Sequence, residues 1–295
     1  MSATHFICPS GQEVPIHQCL LQCQESQRCM FLPTLRAVSN SLQRNLDKPS
    51  ITELLTGTRE QYLKKTCGYA VNPKQQLYAL HGSAVHTLNE RHTEGNMLSE
   101  ERLYSESTSG QLDLYGQILT NDDGTLGDLK ITSSYKLMKA LGIYKVDVDT
   151  GDVYKTGAKK GQPKTRKELR FDGVRHVFEW AFQLNCYRML LESHGYEVKS
   201  MVIQALCRDS GLRIAAERGI TQPLYLIPIH RISNRWLERY IKAKTERLSQ
   251  ALETDTIPNL CSNRETWNGR KCESYCPVAK QCQTIESRKQ EPLTA

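Results

Sequence analysis

Residues 110–132 read GQLDLYGQILTNDDGTLGDLKIT, and the pattern of this stretch decides the fold class. Leu112 and Leu114 alternate with Asp113 and Tyr115, the period of two expected of a half-buried strand. Asn121-Asp122-Asp123-Gly124 carries turn chemistry, and Asp128-Leu129-Lys130-Ile131 resumes the alternation, which predicts a hairpin. On such a strand Asp128 and Lys130 project from one face while Leu129 and Ile131 enter the core behind them, and Asp113 can share the polar face. Two carboxylates converging beside a lysine suit phosphodiester hydrolysis. The carboxylates hold Mg²⁺ or Mn²⁺ through hard oxygen ligands, and the ammonium positions or activates water and balances developing charge. Taken alone, an Asp-x-Lys pair arises by chance in most long chains, and its ordinary reading is a solvated strand face.

Outward from the hairpin, helices and strands alternate as in an α/β domain between about Leu35 and Thr256. Ser50 with Glu53 three residues on has the spacing of a capping box and marks a helix start. Leu77 to Arg91 is a second helix and Val174 to His194 a third, with Gly195 as its stop. Val198 to Cys207 and Pro223 to Ile229 read as strands, and Asn234 to Leu252 as a charged surface helix.

Three further groups stand in order around the hairpin. His81-Gly82-Ser83-Ala84-Val85-His86 lies upstream on a helix, Gly110-Gln111-Leu112-Asp113 places its aspartate fifteen residues before Asp128, and Gln183-Leu184-Asn185-Cys186-Tyr187 follows, with Gln183 and Tyr187 on one helix face. Singly, His86 reads as a core histidine and Gln183/Tyr187 as a surface pair. In this order, the groups resemble the G-x-x-x-H, G-x-x-D, (D/E)-x-K and Q-x-x-x-Y motifs of the RecB-like branch of the PD-(D/E)XK nuclease superfamily. The resemblance runs from about Pro49 to Cys282. It implies a restriction-endonuclease-like core with a central mixed sheet flanked by helices. It also implies His86, Asp113, Asp128 and the backbone carbonyl of Leu129 as ligands of Mg²⁺ or Mn²⁺, with His81 a rival to His86. Lys130 becomes the catalytic lysine, with Gln183 and Tyr187 near the metal and the DNA phosphate. The implied activity is metal-dependent DNA hydrolysis, exonuclease ahead of endonuclease, in recombination, repair, phage replication or defence. The alternatives are a catalytically silent DNA-binding or assembly protein and a zinc-containing regulator.

The chain has eleven cysteines, and eight fall into two matched quartets. Cys8, Cys19, Cys23 and Cys29 follow C-x10-C-x3-C-x5-C, and Cys261, Cys272, Cys276 and Cys282 repeat that spacing at the other end. Four thiolates close the shell of a structural zinc site or fill an iron–sulfur cluster, so bound metal is expected and disulfides are not. The C-terminal Cys272-x3-Cys276-Pro277-x4-Cys282 also resembles the cluster of iron–sulfur members of the same branch, including the nuclease of CRISPR spacer acquisition. Those members draw one ligand from upstream of the core and three from the C-terminus. Zinc and a 4Fe-4S cluster, one shared site and two separate ones, all stay open. Cys67, Cys186 and Cys207 are isolated and read as packing residues. The expected organisation is a cysteine-rich module at 1–35, a nuclease core at 36–256 and a second cysteine-rich module at 257–295.

From Lys155 to Arg170 the chain reads KTGAKKGQPKTRKELR, seven basic residues against one acidic. Lys159, Lys160, Lys164, Arg166, Lys167 and Arg170 are candidate phosphate contacts on a loop bordering the active face, extended by Arg175 and His176. No base-reading motif is evident, so DNA binding is expected to depend on structure and not on sequence. The 295 residues carry a formal charge of +7 with 39% hydrophobic residues, which suits a globular protein with an anionic partner. The apolar stretches are too short to span a bilayer, and no signal core opens the chain, so an intracellular, cytoplasmic location without membrane insertion is expected.

Overall fold

The computed structural model describes residues 3–43, 48–119, 124–173 and 175–290, with side chains through 288. In chain order, β1 (His5–Ile7) and β2 (Glu13–Pro15) precede α1 (Ile16–Leu21), α2 (Leu32–Leu42), α3 (Ile51–Leu54), α4 (Thr58–Thr66) and β3 (Ala70–Val71). Then come α5 (Leu77–Arg91), four short strands β4 (Leu98–Ser99), β5 (Arg102–Tyr104), β6 (Ser109–Gln111) and β7 (Leu114–Gly116), and the longer β8 (Thr125–Thr132). After α6 (Ser134–Ala140), β9 (Ile143–Val153) and β10 (Pro163–Phe171), the chain forms α7 (Phe178–Ser193), β11 (Ser200–Cys207), α8 (Arg213–Ala216) and β12 (Leu224–Pro228). It ends in α9 (Asn234–Glu253), α10 (Arg270–Ser274) and α11 (Ala279–Gln290). No helix among the described residues is long and apolar enough to cross a membrane.

The fold is α/β. A five-stranded mixed sheet in the order β12-β11-β8-β7-β4 is flanked by helices, with β8 and β11 parallel and the other neighbours antiparallel. The hairpin expected from residues 110–132 forms between β7 and β8, Leu114 opposite Gly127 and Gly116 opposite Thr125. Its turn residues Asn121 to Asp123 lie outside the described residues. The capping box forms as the spacing predicts: Glu53 N–H donates to Ser50 Oγ at 3.3 Å and Ser50 N–H to Glu53 Oε2 at 2.8 Å. The helix at 77–91 has the expected bounds, and α7 stops at Ser193 before Gly195, whose φ of +88° suits a residue without a Cβ.

Burial divides the apolar residues into two cores. The larger joins the sheet to α7 through Leu126, Ile203, Phe182, Leu184 and Leu191, each such side chain contributing about 1.5–3 kcal/mol. Cys186 and Cys207 pack there as small apolar groups. The smaller core gathers Phe6, Val14, Cys19, Leu35, Tyr62, Leu63, Val71, Leu248 and Val278, with Cys67 against it. The two cysteine-rich ends therefore share one core with α4 and β3, within the 36–256 span, and Lys280 reaches across to Glu13 at 2.5 Å. Helix α9 joins the two bodies. Leu237 lies in the first core and Leu248 and Ala251 in the second, so one apolar stripe under the charged surface makes this helix a spine.

The structure departs from three local expectations. Asp113 is not inside a strand; it sits in the link between β6, paired with β5, and β7 in the main sheet, and Leu112, Asp113 and Tyr115 are all buried. The chain is covered on both sides where it changes sheets, which cancels simple alternation. Similarly, Leu129 is buried outside the main apolar cluster and Ile131 only half-buried, while the face bearing Asp128 and Lys130 is the one α7 covers. The basic stretch is not a loop either. It forms the tip and second strand of a two-stranded antiparallel ribbon, β9–β10, Arg166 opposite Val148 and Phe171 opposite Ile143, rooted where Leu169 and Ile143 meet Gly219.

Candidate metal centre

Helix α5, the β4–β5 turn, the β6–β7 link and strand β8 converge on one group of polar side chains. His86 on α5 lies 2.8 Å from Glu100 Oε1 and 3.6 Å from Asp113 Oδ1, in each case through Nδ1. Among the described residues, His86, Glu100 and Asp113 form the one group of three or more potential ligands whose donor atoms all lie within 4.8 Å of one another. Asp113 is held rigidly, because the Leu129 N–H donates to its Oδ2 at 2.7 Å and the Glu100 N–H to its backbone oxygen at 3.2 Å. Leu129 thus meets the site through its amide.

Asp128 is 2% exposed. Its Oδ2 lies 2.6 Å from the Lys130 ammonium, while Oδ1 is buried with no hydrogen-bond partner among the described residues. A buried carboxylate oxygen without a partner costs free energy unless a cation meets it. Lys130 Nζ in turn donates to Gln183 Oε1 at 3.3 Å, and Gln183 Nε2 to the Tyr187 hydroxyl at 2.8 Å. The pair four residues apart on α7 thereby positions the lysine through one face of the helix. Gly110 has a steric reason to be glycine: a Cβ there would lie 2.8 Å from the Tyr187 ring and 2.7 Å from Ile51. Gly82 has none, since a Cβ on that exposed helix meets nothing within 4 Å.

The electrostatics follow from burial. Desolvation, reinforced by Asp128, pushes the Asp113 carboxyl up to about 7, against the opposing pull of Lys130 and His86. The hydrogen bond to Glu100 raises His86 above its ordinary range, helped by Asp113 and opposed by burial. Burial works against charge on Lys130, yet Asp128 and Asp113 outweigh it and hold the ammonium above the usual lysine range. Burial also raises the Tyr187 phenol, keeping it a neutral donor. The site is an acid-rich cluster whose carboxylates suit a cation, with one fixed ammonium at its side.

Sequence order singles out His86, Asp113, Asp128, Lys130, Gln183 and Tyr187 as candidates, and the fold brings them together. It misses Glu100. Nothing in the local sequence separates Glu100 from Glu101, whose backbone oxygen merely accepts the Leu112 N–H. Only the turn geometry does so: Glu100 has φ +53°, a conformation costly for a non-glycine residue, and its second oxygen accepts from Gln111 Nε2 at 2.9 Å. His81, on the same helix as His86, has no place in the ligand group.

The cysteines present a different geometry. Neither quartet draws three sulfur atoms into a group as compact as the His86 site, so neither is a closed tetrahedral shell. Burial comes first among the causes that shift their thiols, and where one cysteine acts on another both belong to the same quartet, beside charged neighbours such as Glu25, Glu60 and Glu265. Burial first, then Cys8, Cys29 and Cys23, raise Cys19, and burial followed by weaker effects that include Cys282 raises Cys261. Burial likewise pushes Cys276 up to about 11. Arg59, 2% exposed, donates from Nε to Cys282 Sγ at 3.1 Å and pairs with Glu286 at 2.6 Å, placing a cation beside that sulfur. Of the basic candidates, Lys159 and Lys164 lie over Tyr154 at the ribbon tip, at 5.8 and 6.0 Å from the ring centroid, and Arg166 pairs with Glu168 at 2.6 Å.

No family model matches the chain, and no curated protein matches it. A solved structure described as "Crystal structure of SSO0001" aligns over 84% of this chain and 93% of its own, at 13% identity and a TM-score of 0.42. So slight a likeness leaves function to be argued from the residues.

Proposed function

We propose that this protein is a metal-dependent DNA nuclease of the RecB-like PD-(D/E)XK type, cutting phosphodiester bonds with Mg²⁺ or Mn²⁺, exonuclease ahead of endonuclease. The observation that carries the reading is the buried, unpartnered Asp128 Oδ1 beside Lys130 and the compact His86–Glu100–Asp113 group. His86, Asp113 and Asp128, with the Leu129 carbonyl, would hold the cation, and Glu100 either joins them or fixes the tautomer of the imidazole by accepting from Nδ1. When bound, the ion supplies a Lewis acid and lowers the pKa of attached water. Lys130, held charged by two carboxylates and aimed by Gln183, orients the attacking water and offsets charge gathering on the phosphate oxygens. Tyr187 braces Gln183 and stays protonated, so that face donates hydrogen bonds without adding negative charge.

The ribbon tip supplies DNA affinity in this reading. Lys155, Lys159, Lys160, Lys164, Arg166 and Lys167 follow one another without an acidic residue among them, and contacts to phosphate read no bases. In this reading the two cysteine quartets are two neighbouring sites for structural metal, zinc or an iron–sulfur cluster, around the shared small core, and a tetrahedral zinc shell would require the sulfur atoms to draw closer together than they lie in the structure. Metal binding would displace the thiol protons that burial retains and tie both chain ends to α4. The test is incubation of labelled single- and double-stranded DNA with the purified protein and Mg²⁺ or Mn²⁺. Products that appear with metal and vanish with EDTA support the reading, and intact substrate under every condition overturns it.

A further inference from the structure

A groove of about 600 Å³ opens where α6, the start of α7 and the segment between Cys261 and Cys272 meet. Its walls combine aromatic faces with cations. Tyr135, Trp267 and Tyr275 are 40%, 46% and 63% exposed, a large apolar outlay for a surface unless something covers it. Lys136, Lys139, Arg264 and Arg270 line the same space, and Glu179, already 3.6 Å from Lys136, is the acid among the lining residues. The cations sit against rings: Lys139 is 4.6 Å from the Tyr135 centroid, Arg264 3.6 Å from Phe178 and Lys136 5.3 Å from Trp180.

We infer that this groove is a path for single-stranded nucleic acid leading to the catalytic face. The inference deepens the nuclease reading by naming the form of the substrate. A single strand alternates flat bases with phosphates, and a surface of spaced aromatic rings and cations complements both. A duplex hides its base faces in the stack and leaves exposed rings unused. The position also fits: α6 begins directly after β8, the strand carrying Asp128 and Lys130, and Trp180 is three residues, less than one turn, from Gln183 on α7.

One wall comes from inside the C-terminal cysteine quartet. Trp267 and Asn268 have φ of +52° and +56° and Gly269 follows at +89°, three left-handed residues in a row. Such backbone is costly and persists where surroundings fix it. Here the Asn268 N–H donates to Asn263 O at 2.8 Å, the Gly269 N–H to Thr266 Oγ1 at 3.3 Å and the Lys271 N–H to Thr266 O at 2.9 Å. The turn lifts Trp267 into the groove beside Tyr275, ring centroids 5.7 Å apart. The cysteine module thus has a task besides stability: it presents an aromatic wall to the strand.

The test uses the full-length protein with Ca²⁺ in place of the hydrolytic ion and follows fluorescence anisotropy of labelled oligo(dT) and of a blunt duplex of equal length. Trp267→Ala should weaken oligo(dT) binding by about tenfold or more, the effect of unstacking one base, and change duplex binding far less. Trp267→Phe should restore most of the affinity, and Tyr275→Leu, at a more exposed position, should weaken oligo(dT) binding similarly with an unchanged melting curve. Hydrolysis of bis(4-nitrophenyl) phosphate with Mn²⁺, which needs only the metal centre, should be the same in every variant. Unchanged oligo(dT) affinity in Trp267→Ala and Tyr275→Leu overturns the inference. So does equal weakening for duplex, a Phe variant as weak as the Ala variant, or polyglutamate competing as well as oligo(dT). If the wild type binds oligo(dT) through these residues but hydrolyses nothing, the nuclease reading falls and the strand path stands.

Discussion

Replacing Asp113 with Asn should stabilise the metal-free protein at neutral and alkaline pH while removing the proposed metal-dependent activity. The Asp113 carboxyl, normally at 3.8, is raised to about 7 by burial and by Asp128, a shift worth about 4 kcal/mol. A carboxyl raised in the folded state holds its proton where the unfolded chain has already released it. The unfolded state therefore binds fewer protons between about pH 4 and pH 7, stability falls as pH rises through that window, and the full cost is present above it. Asparagine has no charge to bury and keeps an oxygen to accept the Leu129 N–H. Some attraction to Lys130 and His86 disappears, so the net gain at pH 8 is expected at about 2–4 kcal/mol, or several degrees in melting temperature for a chain of this size. His86, raised mainly by Glu100, adds a slope of the same sign in both proteins. The assay is thermal or urea denaturation in EDTA at pH 5 and pH 8. The gain should be largest at pH 8 and shrink toward pH 5, and saturating Mn²⁺ should reverse the ranking by stabilising the wild type alone. An Asp113→Asn variant less stable than wild type at pH 8 without metal would show that the buried carboxyl carries no such cost.

Three other outcomes are expected. Glu100→Ala should weaken Mn²⁺ binding by roughly 10–100-fold in a calorimetric titration, as removal of a group that orients a ligating histidine does; unchanged affinity would remove Glu100 from the site. Neutralising Lys159, Lys160, Lys164 and Lys167 together should lower DNA affinity and flatten its dependence on salt by about one in log–log slope for each phosphate no longer neutralised, and an unchanged slope would show the ribbon tip to be merely solvated. Serine at Cys19 should lower the melting temperature and remove metal from the N-terminal quartet while Cys272→Ser removes it from the C-terminal one. Disappearance of all metal in either variant, by elemental analysis, would point to one shared site instead of two.

Much of the fold is legible from local signals that act at fixed spacing. The capping box at Ser50, the helix at 77–91 and the β7–β8 hairpin each depend on neighbours within a few residues, and all three form. That the candidate residues come together is legible through their order along the chain, since Gln183 and Tyr187 must share a helix face wherever the helix packs. What escapes is set by tertiary context. Asp113 reads as one position of a half-buried strand, but the chain changes sheets there. Lys155–Arg170 reads as a loop because its Gly and Lys content hides the pairing of Thr165–Arg170 with the strand before it. Glu100 is fixed by a left-handed turn that no spacing announces. The sharing of one small core by both cysteine-rich ends depends on α4 and α9 packing across some two hundred residues of chain.

In the proposed function Asp113, Asp128 and Lys130 form a centre for metal-dependent phosphodiester cleavage. Its most direct test compares wild type with Lys130→Ala and Asp128→Asn, purified side by side, on 5′-labelled single-stranded DNA with Mn²⁺. Cleavage by the wild type is expected, with a decrease on the order of 10²-fold or more in both variants and melting curves that show a folded protein. Equal rates in all three preparations, or no cleavage by any, would contradict it.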